Sequence, residues 1–447
     1  MPLALLLLGL SGCGGGGGGA PSVTAAPDTY LVNPGGTITI PVPGVLQNDT
    51  GSGLTAELVS YSGLPSTLTL NSNGSFTYTQ NAAASFVYRA VNGTGSATAT
   101  VTIGINQPPV ASNVCPAIQD NASAVGVTLP ATDPNGNGTI ASFTIDSLPS
   151  NGSITGCPGV PCPVGLNVTY VPTPNLTGKR GMDKFTFHAT DSNGLVSATA
   201  TAWVLNNGKV RIMPLGDSIT AGVTLGGVTC GGDDCPLSVD RVGYRLDLFN
   251  SLKTLSAGEY DIDFVGGQFD GSNFIASDGF DINHEGHPGW CDDDNPICFT
   301  TGGSIADNIN GFLINNPADI ILLHIGTNTF DVSSAGVNTI LGNISTWAGS
   351  NYPVNVFVAR IIPTVDGSKD VQAFNTNVMA IATDRPRVKV FKVDQQNELH
   401  KADDLTGNLA EPTFMTDNLH PNSTGYTRMA NRWLANLVSA GVLPSCP

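Results

Sequence analysis

Residues 22 to 107 alternate apolar and polar positions in short runs broken by Gly, Asn, Pro and Ser: TITIPV, LTAELVSY, STLTLN, GSFTYTQ, SFVYRAV and ATATVTIGI. Successive side chains on a strand point to opposite faces, so such runs predict strands with one buried face. Many of them at regular spacing predict a β-sandwich. Near Asn207 the pattern changes. KVRIMPLG, YDIDFVGG, ADIILLHIGTN, NVFVARIIP and VKVFKVD are compact apolar runs, of the kind that serve as strands buried on both faces. Between them apolar residues fall at helical spacing. The sets are Val242, Leu246, Phe249 and Leu252; Ile305, Ile309, Phe312 and Leu313; Val371, Phe374, Val378 and Ile381; and Tyr426, Met429, Trp433 and Leu437. Strand and helix in alternation from residue 207 to 447 predict an α/β domain of three layers, a central parallel sheet with helices on both faces.

Residues 108 to 206 repeat the first pattern. NGSIT, VTYVPTPNLTG and DKFTFHATDSNGLVSATATAWV follow the order of NGSFTYTQ and FVYRAVNGTGSATATVTI in the first unit, so two diverged sandwiches are expected, at 22–107 and 108–206. With GVLQND ahead of them, these runs resemble the cadherin-like and Ig-like repeats of bacterial surface proteins. Asp133, Asn135 and Asn137 leave two readings open, an oxygen-rich Ca²⁺ loop or a plain Asx turn.

Composition narrows the class. The chain has 447 residues, too many for one ordinary domain, and its net charge is −17 with only 18 Lys and Arg. That argues against nucleic acid as a partner, which needs clustered positive charge, and against strongly anionic polymers as substrates. Residues 1–21 read as an export signal and tether. LALLLLGLSGC is an apolar run too short to span a bilayer, and GCGGGGGGAPS is a flexible segment. LSGC resembles the bacterial lipobox, in which Cys13 is lipidated, although no Lys or Arg precedes the run; an ordinary cleaved signal is the alternative. Either places the protein outside the cell or on the bacterial outer-membrane surface, and the lipid at Cys13 is the only membrane contact expected.

Eight cysteines remain besides Cys13. Cys157/Cys162, Cys230/Cys235 and Cys291/Cys298 are close pairs, and Cys115 and Cys446 are left over. Three of the eight fall before residue 207 and five after it. If all eight pair within the chain, one bridge must cross that boundary, and Cys115–Cys446 is the candidate; free or differently paired thiols are the alternative.

In a parallel sheet, ligands bind beyond the carboxyl ends of the strands. Four polar blocks fall at such ends: GDSIT after the first strand, HEGHPGW after the second, GTN after the third, and DNLHPN before the last helix. Acyl transfer needs a nucleophile, a base, a group that orients the base, and donors for the oxyanion. Ser218, His420 and Asp417 supply the first three. The backbone N–H groups of Ser218 and Gly289 and the side chain of Asn328 supply the donors, with Gly286 as the alternative to Gly289.

These blocks, in this order, resemble the GDSL esterases of the SGNH hydrolase superfamily over residues 208 to 440. Ser218, Gly289, Asn328 and His420 fall on the four name-giving positions, and Asp417 on the acid of the D-x-x-H block. HEGHPGW and LLHIGTN resemble carbohydrate esterase family three, which contains acetylxylan esterases. The resemblance implies a serine esterase that removes acetyl groups from xylan or a similar plant polysaccharide, without metal or cofactor. Two alternatives keep a place: a lipid, short-chain ester or thioester hydrolase with the same triad, and a surface adhesion or carbohydrate-binding protein whose esterase domain is vestigial.

The remaining residues carry open readings. Asp217 is expected to cap the helix after it, and Tyr244 and Arg245 to support the site from a helix, Arg245 with no catalytic role. His284 and His287 either line the pocket or make structural hydrogen bonds, and Trp290 either packs or offers a sugar platform. Thr329 stands where relatives often have Asp. Two inserted segments, TLGGVTCGGDDCPLS and WCDDDNPICFTTGG, are expected to wall the cleft. Asp292, Asp293 and Asp294 form either a solvated acidic loop or a Ca²⁺ site.

Overall fold

The computed structural model describes residues 23–62, 67–79, 82–120, 122–136, 139–156, 162–163, 167–174, 181–224, 237–293, 303–329 and 331–446. The lipobox segment with Cys13, Asn137, Cys157, Cys230, Cys235, Asp294, Cys298 and most of both inserted segments lie outside them. By packing, the chain forms two compact units. One holds residues 1–109, 132–141 and 190–197; the other holds 110–131, 142–189 and 198–447.

The first unit is a sandwich. One sheet runs in the order Asp28–Val32, Gly95–Ile105, Ala84–Asn92 and Thr55–Tyr61, and the other is Thr37–Ile40, Phe76–Thr79 and Leu68–Leu70. Alternate residues turn inward, as the pleat dictates. Phe86, Tyr88 and Ala90 on one strand and Val101 and Ile103 on its neighbour are buried with Phe76, whose ring meets Phe86 edge-on at 5.5 Å. The Asp133–Asn135 loop is an Asx turn. Asn135 N–H donates to Asp133 Oδ1 at 2.7 Å, and Asn135 spends its own side chain on Gln107 N–H and the Ile105 carbonyl.

In the second unit, strands Gly152–Thr155, Val168–Pro172 and Val125–Val127 face a sheet containing Ile140–Ser147, Asp183–Asp191 and Ala200–Asn206. That sheet does not stop at the predicted boundary. Asn207 and Gly208, with φ of 51° and 75°, make a two-residue turn, and the chain enters Lys209–Gly216 antiparallel to the strand it has just left. Asn-Gly is the pair that tolerates positive φ at both central positions of such a hairpin. From Lys209–Gly216 the sheet becomes parallel. Asp261–Phe264 pairs on one side of it, and Ile320–His324, Val354–Ala359 and Val388–Val393 follow on the other.

Alternate strand residues feed two cores. Val210, Ile212, Ile320 and Leu322 pack against Leu248, Phe249 and Leu252 of helix Arg245–Ser256 and Met429, Trp433 and Leu437 of helix Ser423–Ser439. Met213, Leu215, Ile321 and Leu323 pack against helices Ile305–Asn315, Ala335–Ser350 and Val371–Ala380. The strand order, second-first-third-fourth-fifth, reverses direction between the first and third strands, the point beyond whose strand ends such sheets bind ligands.

The second sandwich is fastened to this sheet at several points. Cys115 and Cys446 form a disulfide. Arg211 and Asp319, both buried, pair through Nε–Oδ2 at 3.1 Å and Nη2–Oδ1 at 3.0 Å, and Asp319 Oδ1 also accepts from Met182 N–H at 2.8 Å. Asn113 donates to the Ser445 carbonyl at 2.7 Å, and Arg387 to Asn151 Oδ1 at 2.6 Å.

Candidate active site

The first strand ends at Gly216, where any Cβ would collide with the His324 carbonyl of the neighbouring strand. Asp217 is extended and caps the four-residue helix Ser218–Ala221: its Oδ1 accepts from Ile219 N–H at 3.0 Å. Ser218 is the first helical residue, so its N–H has no intrahelical acceptor. Beneath this turn Arg245 is fully buried and donates to the carbonyls of Thr220 at 3.0 Å and Ala221 at 3.1 Å, and to those of Arg241, Asp270 and Ile282. Burial pushes its pKa down to about 10 against the opposing charge of Asp270. Tyr244 OH lies 3.4 Å from Thr220 Oγ1. Both residues thus brace the Ser218 turn from below.

From 202 residues away, the loop before the last helix brings His420 Nε2 to 3.0 Å from Ser218 Oγ. His420 Nδ1 lies 3.0 Å from Asp417 Oδ2, while Asp417 Oδ1 accepts from Leu419 N–H at 2.6 Å and His420 N–H at 2.7 Å. Burial raises the Asp417 carboxyl, but the hydrogen bonds from the His420 ring and from the two backbone N–H groups outweigh it. Its pKa therefore lies below the ordinary value, and it is a carboxylate at neutral pH.

The second block departs from its expected place. Asn283–Gly286 is not a loop after a strand but a further short strand, hydrogen-bonded to the end of the first one at Leu215 and Gly216. A turn then follows at His287–Trp290, closed by Trp290 N–H to the His287 carbonyl at 3.1 Å. Pro288 and Gly289, with φ of +82° at the glycine, give it the character of a type II turn, which requires positive φ at its third position. The Gly286 N–H is spent on His284 Nδ1 at 2.9 Å. That removes Gly286 as a donor to a ligand. Asn328, half-buried at the third strand's loop, gives one Nδ2 hydrogen to the Trp290 carbonyl at 2.9 Å and has a second to offer.

Both histidines of this block make hydrogen bonds within the fold. His284 is fully buried; its Nε2 accepts from Asp270 N–H at 3.3 Å, and burial holds its pKa down at about 3. His287 Nε2 lies 2.8 Å from Glu285 Oε2, and its ring centroid lies 4.1 Å from that of Trp290 and 5.0 Å from that of Phe312, which are 6.2 Å from each other. These contacts, with the burial of His287, brace the turn. Trp290 likewise commits one face to His287. Glu285 sits inside the quoted block, two residues before His287, and that spacing on a strand puts both on one face.

Asp292 corrects another expectation. It is not in a solvated loop but buried, accepting from Thr329 Oγ1 and packed against Gly336 at the start of a helix. Burial, with Asp293 nearby, raises its pKa to about 6. Thr329, where relatives often carry an acid, thus reaches a carboxylate from the neighbouring loop. Among the described residues no group of three or more His, Cys, Asp or Glu is arranged to hold a metal. Cys291 is disulfide-bonded, and its expected partner Cys298 lies outside the described residues.

Half-buried Lys369 and fully buried His324 carried no sequence signal. Lys369 donates to the Thr327 carbonyl, one residue before Asn328. His324, at the end of the third strand, is fully buried, and burial lowers its pKa, so it stays neutral. Both are near Asp217 in charge terms.

Comparison with known proteins agrees with the division of the chain into unlike parts. Residues 19–104 and 106–205 match the bacterial Ig domain. A multidomain esterase of Ruminococcus flavefaciens is 29% identical over 249 residues, 52% of this chain and 28% of that protein. The chain thus spans under a third of the curated relative's length. Among solved structures, a carbohydrate esterase of family 3 from Talaromyces cellulolyticus aligns at 25% identity and a TM-score of 0.36, covering 52% of this chain and 97% of that one. Drosophila N-cadherin aligns at 13% identity and a TM-score of 0.17, over 43% of this chain and 54% of that one. Among the described residues no helix is long and apolar enough to cross a membrane.

Proposed function

We propose that this chain is an exported serine esterase of the SGNH hydrolase superfamily, of the carbohydrate esterase family three kind, that removes O-acetyl groups from a plant polysaccharide such as acetylated xylan. The observation that carries the reading is the continuous line from Ser218 Oγ through the His420 ring to Asp417, set where the sheet order reverses. Nothing in the packing of the fold needs those three groups in register.

In the proposed reaction His420 Nε2 takes the Ser218 proton as Oγ attacks the acetyl carbonyl. Asp417 keeps the proton on Nδ1 and stabilises the imidazolium. The oxyanion is received by the N–H groups of Ser218 and Gly289 and the second Nδ2 hydrogen of Asn328. His420 returns its proton to the departing sugar oxygen, leaving acetyl on Ser218. Water, deprotonated by His420, then releases acetate and restores the serine. The Ig-like units are read as belonging outside the cell, with the N-terminal segment as the export signal and Cys13 as the site of a lipid anchor.

The test is acetate release from acetylated xylan and from a small aryl acetate, comparing the protein with Ser218→Ala. Ser218-dependent release from both supports the reading. Ser218-dependent cleavage of the aryl ester alone keeps the serine chemistry and removes xylan. No Ser218-dependent release from either overturns the esterase.

A further inference from the structure

A cleft of about 250 Å³ opens beside the join of the second sandwich and the parallel sheet. Ser150, Lys184 and Trp203 line it from the sandwich, and Asn355, Lys389 and Phe391 from the sheet. It lies far from Ser218. Lys389 pairs with Asn355, Asn355 with Ile320, and Ile320 with Ile212, six residues before Ser218. At roughly 3.3 Å per strand residue the separation along the sheet is about 20 Å.

Two ammonium groups share this space in a protein with 35 acids and 18 Lys and Arg. Neither Lys184 nor Lys389 makes an ion pair with a described residue. Each lies instead over an aromatic ring, Lys184 Nζ at 4.3 Å from the Trp203 centroid and Lys389 Nζ at 5.2 Å from that of Phe391. Burial and the charge of Lys389 together lower the Lys184 pKa, so the pair is held together against its own repulsion. The acids nearby do not relieve it. Asp183, which also lines the cleft, spends Oδ1 on the N–H groups of Ser150 and Lys184 and the Ser150 hydroxyl, and Oδ2 on Asn151 N–H and Tyr170 OH. Asp384, opposite Lys389 on the neighbouring strand, is exposed and unpaired with it. Trp203 Nε1–H is buried and makes no hydrogen bond.

We propose that this cleft is a second carbohydrate site that takes the carboxylate of an acidic sugar, a uronate substituent of the polysaccharide, between Lys184 and Lys389. The cleft is larger than a bare oxyanion, and the Asn355 carboxamide that lines it offers neutral hydrogen bonds of the kind that sugar hydroxyls use. The site rests on the polysaccharide reading above, and adds that the recognised backbone carries uronates as well as acetyl groups. A polymer of several sugars spans the distance to Ser218, so the two sites act on different residues of one chain.

Calorimetric titration of the whole protein at low ionic strength tests it, because salt screens such a contact. The probes are a xylo-oligosaccharide bearing one glucuronate, the same oligosaccharide with its carboxylate reduced to the alcohol, and sodium sulfate. The acidic oligosaccharide is expected to bind about tenfold or more tightly than its reduced form. Lys184→Met, which keeps the stem over Trp203, and Lys389→Glu are each expected to weaken it by about tenfold or more. Aryl acetate hydrolysis, unchanged in both variants, shows that they fold. Equal binding of the two oligosaccharides, or binding indifferent to both substitutions, overturns the site. Sulfate binding as tightly as the acidic oligosaccharide overturns the sugar and leaves a simple anion site. Lysine-dependent binding in a protein without Ser218-dependent hydrolysis would instead sink the esterase reading and keep this one.

Discussion

Asp417→Asn isolates the orientation of His420 from its presence. Asp417 holds three hydrogen bonds: Oδ1 takes the Leu419 and His420 N–H groups, and Oδ2 takes the His420 ring. An asparagine can keep its oxygen on the two backbone donors. Its NH₂ then faces Nδ1 and forces the imidazole proton onto Nε2, where it cannot accept from Ser218. The productive tautomer requires the amide to flip. The flip sets NH₂ against two backbone donors and leaves both without an acceptor, at about 1–3 kcal/mol each for buried groups. The flipped state therefore costs about 2–6 kcal/mol. At about 1.4 kcal/mol per tenfold, kcat should fall by a factor between about 30 and 10⁴, with KM little changed.

Because the backbone hydrogen bonds survive in the unflipped state, the variant should melt close to the parent. Steady-state hydrolysis of an aryl acetate gives kcat and KM, and Asp417→Ala is the control. Alanine imposes no tautomer, so the asparagine variant should be at least as impaired as the alanine one. An asparagine variant within about fivefold of the parent, with its fold intact, would refute the claim that Asp417 sets the His420 ring.

Three further outcomes follow from the same geometry. Asn328→Ala should lower kcat on the order of a hundredfold while moving KM little, since the lost donor acts on the oxyanion; an equal change in KM alone, seen in the same assay, would make Asn328 a ground-state contact. Asp292 has its pKa raised from 3.8 to about 6, so the folded state holds its proton more tightly and stability should fall as pH rises through that window, by about 3 kcal/mol at most. Denaturant melts should then show Asp292→Asn more stable than the parent at pH 7 and the two converging near pH 4, whereas a less stable variant at pH 7 would mean that the carboxylate is held by a partner such as a cation. Replacing Cys115 and Cys446 together by serine should cost roughly 2–5 kcal/mol of unfolding free energy in melts under non-reducing conditions, because that bridge closes a loop of 331 residues; an unchanged melt would show that the remaining contacts alone fix the join.

What the sequence displayed of this fold depended on how local the cause was. The run KVRIMPLG coincides with the strand Lys209–Gly216 because burial on both faces leaves an unbroken apolar run. Asp417 and His420 were legible as a pair because three residues of one loop suffice to join them. The strand Asp28–Val32 was not singled out, since DTYLV carries too little alternation to stand apart from its neighbours. Asn283–Gly286 was taken for loop because polar residues dominate it; its place as a strand depends on the end of a strand about 70 residues earlier in the chain. Asp292 looked solvated for the same reason: three acids in a row read as surface, and only the fold brings Thr329 and Gly336 over the first of them. Arg245 was legible as support but not in kind, because no local pattern announces a guanidinium that collects the carbonyls of Thr220 and Ala221.

The junction at Asn207 bears most on how the protein works. Its Asn-Gly pair was in plain view, but a change of pattern there reads equally as a linker or as a hairpin, and the two have opposite mechanical consequences. A linker would let the second sandwich act as a spacer, free to swing. The hairpin instead makes the last strand of the sandwich the neighbour of the strand that leads into Ser218. The buried Arg211–Asp319 pair reinforces this. Asp319 immediately precedes the third strand and accepts from Met182, so releasing the sandwich would strip a hydrogen bond from a buried carboxylate. Losing one partner of such a group is costly, whereas a pair left whole contributes little net stability. The arrangement therefore opposes separation more than it adds to stability. A sandwich held in this way has a fixed place relative to the Ser218 turn, so a sugar bound at its join with the sheet, in the cleft between Lys184 and Lys389, would hold the polymer in one register with respect to Ser218.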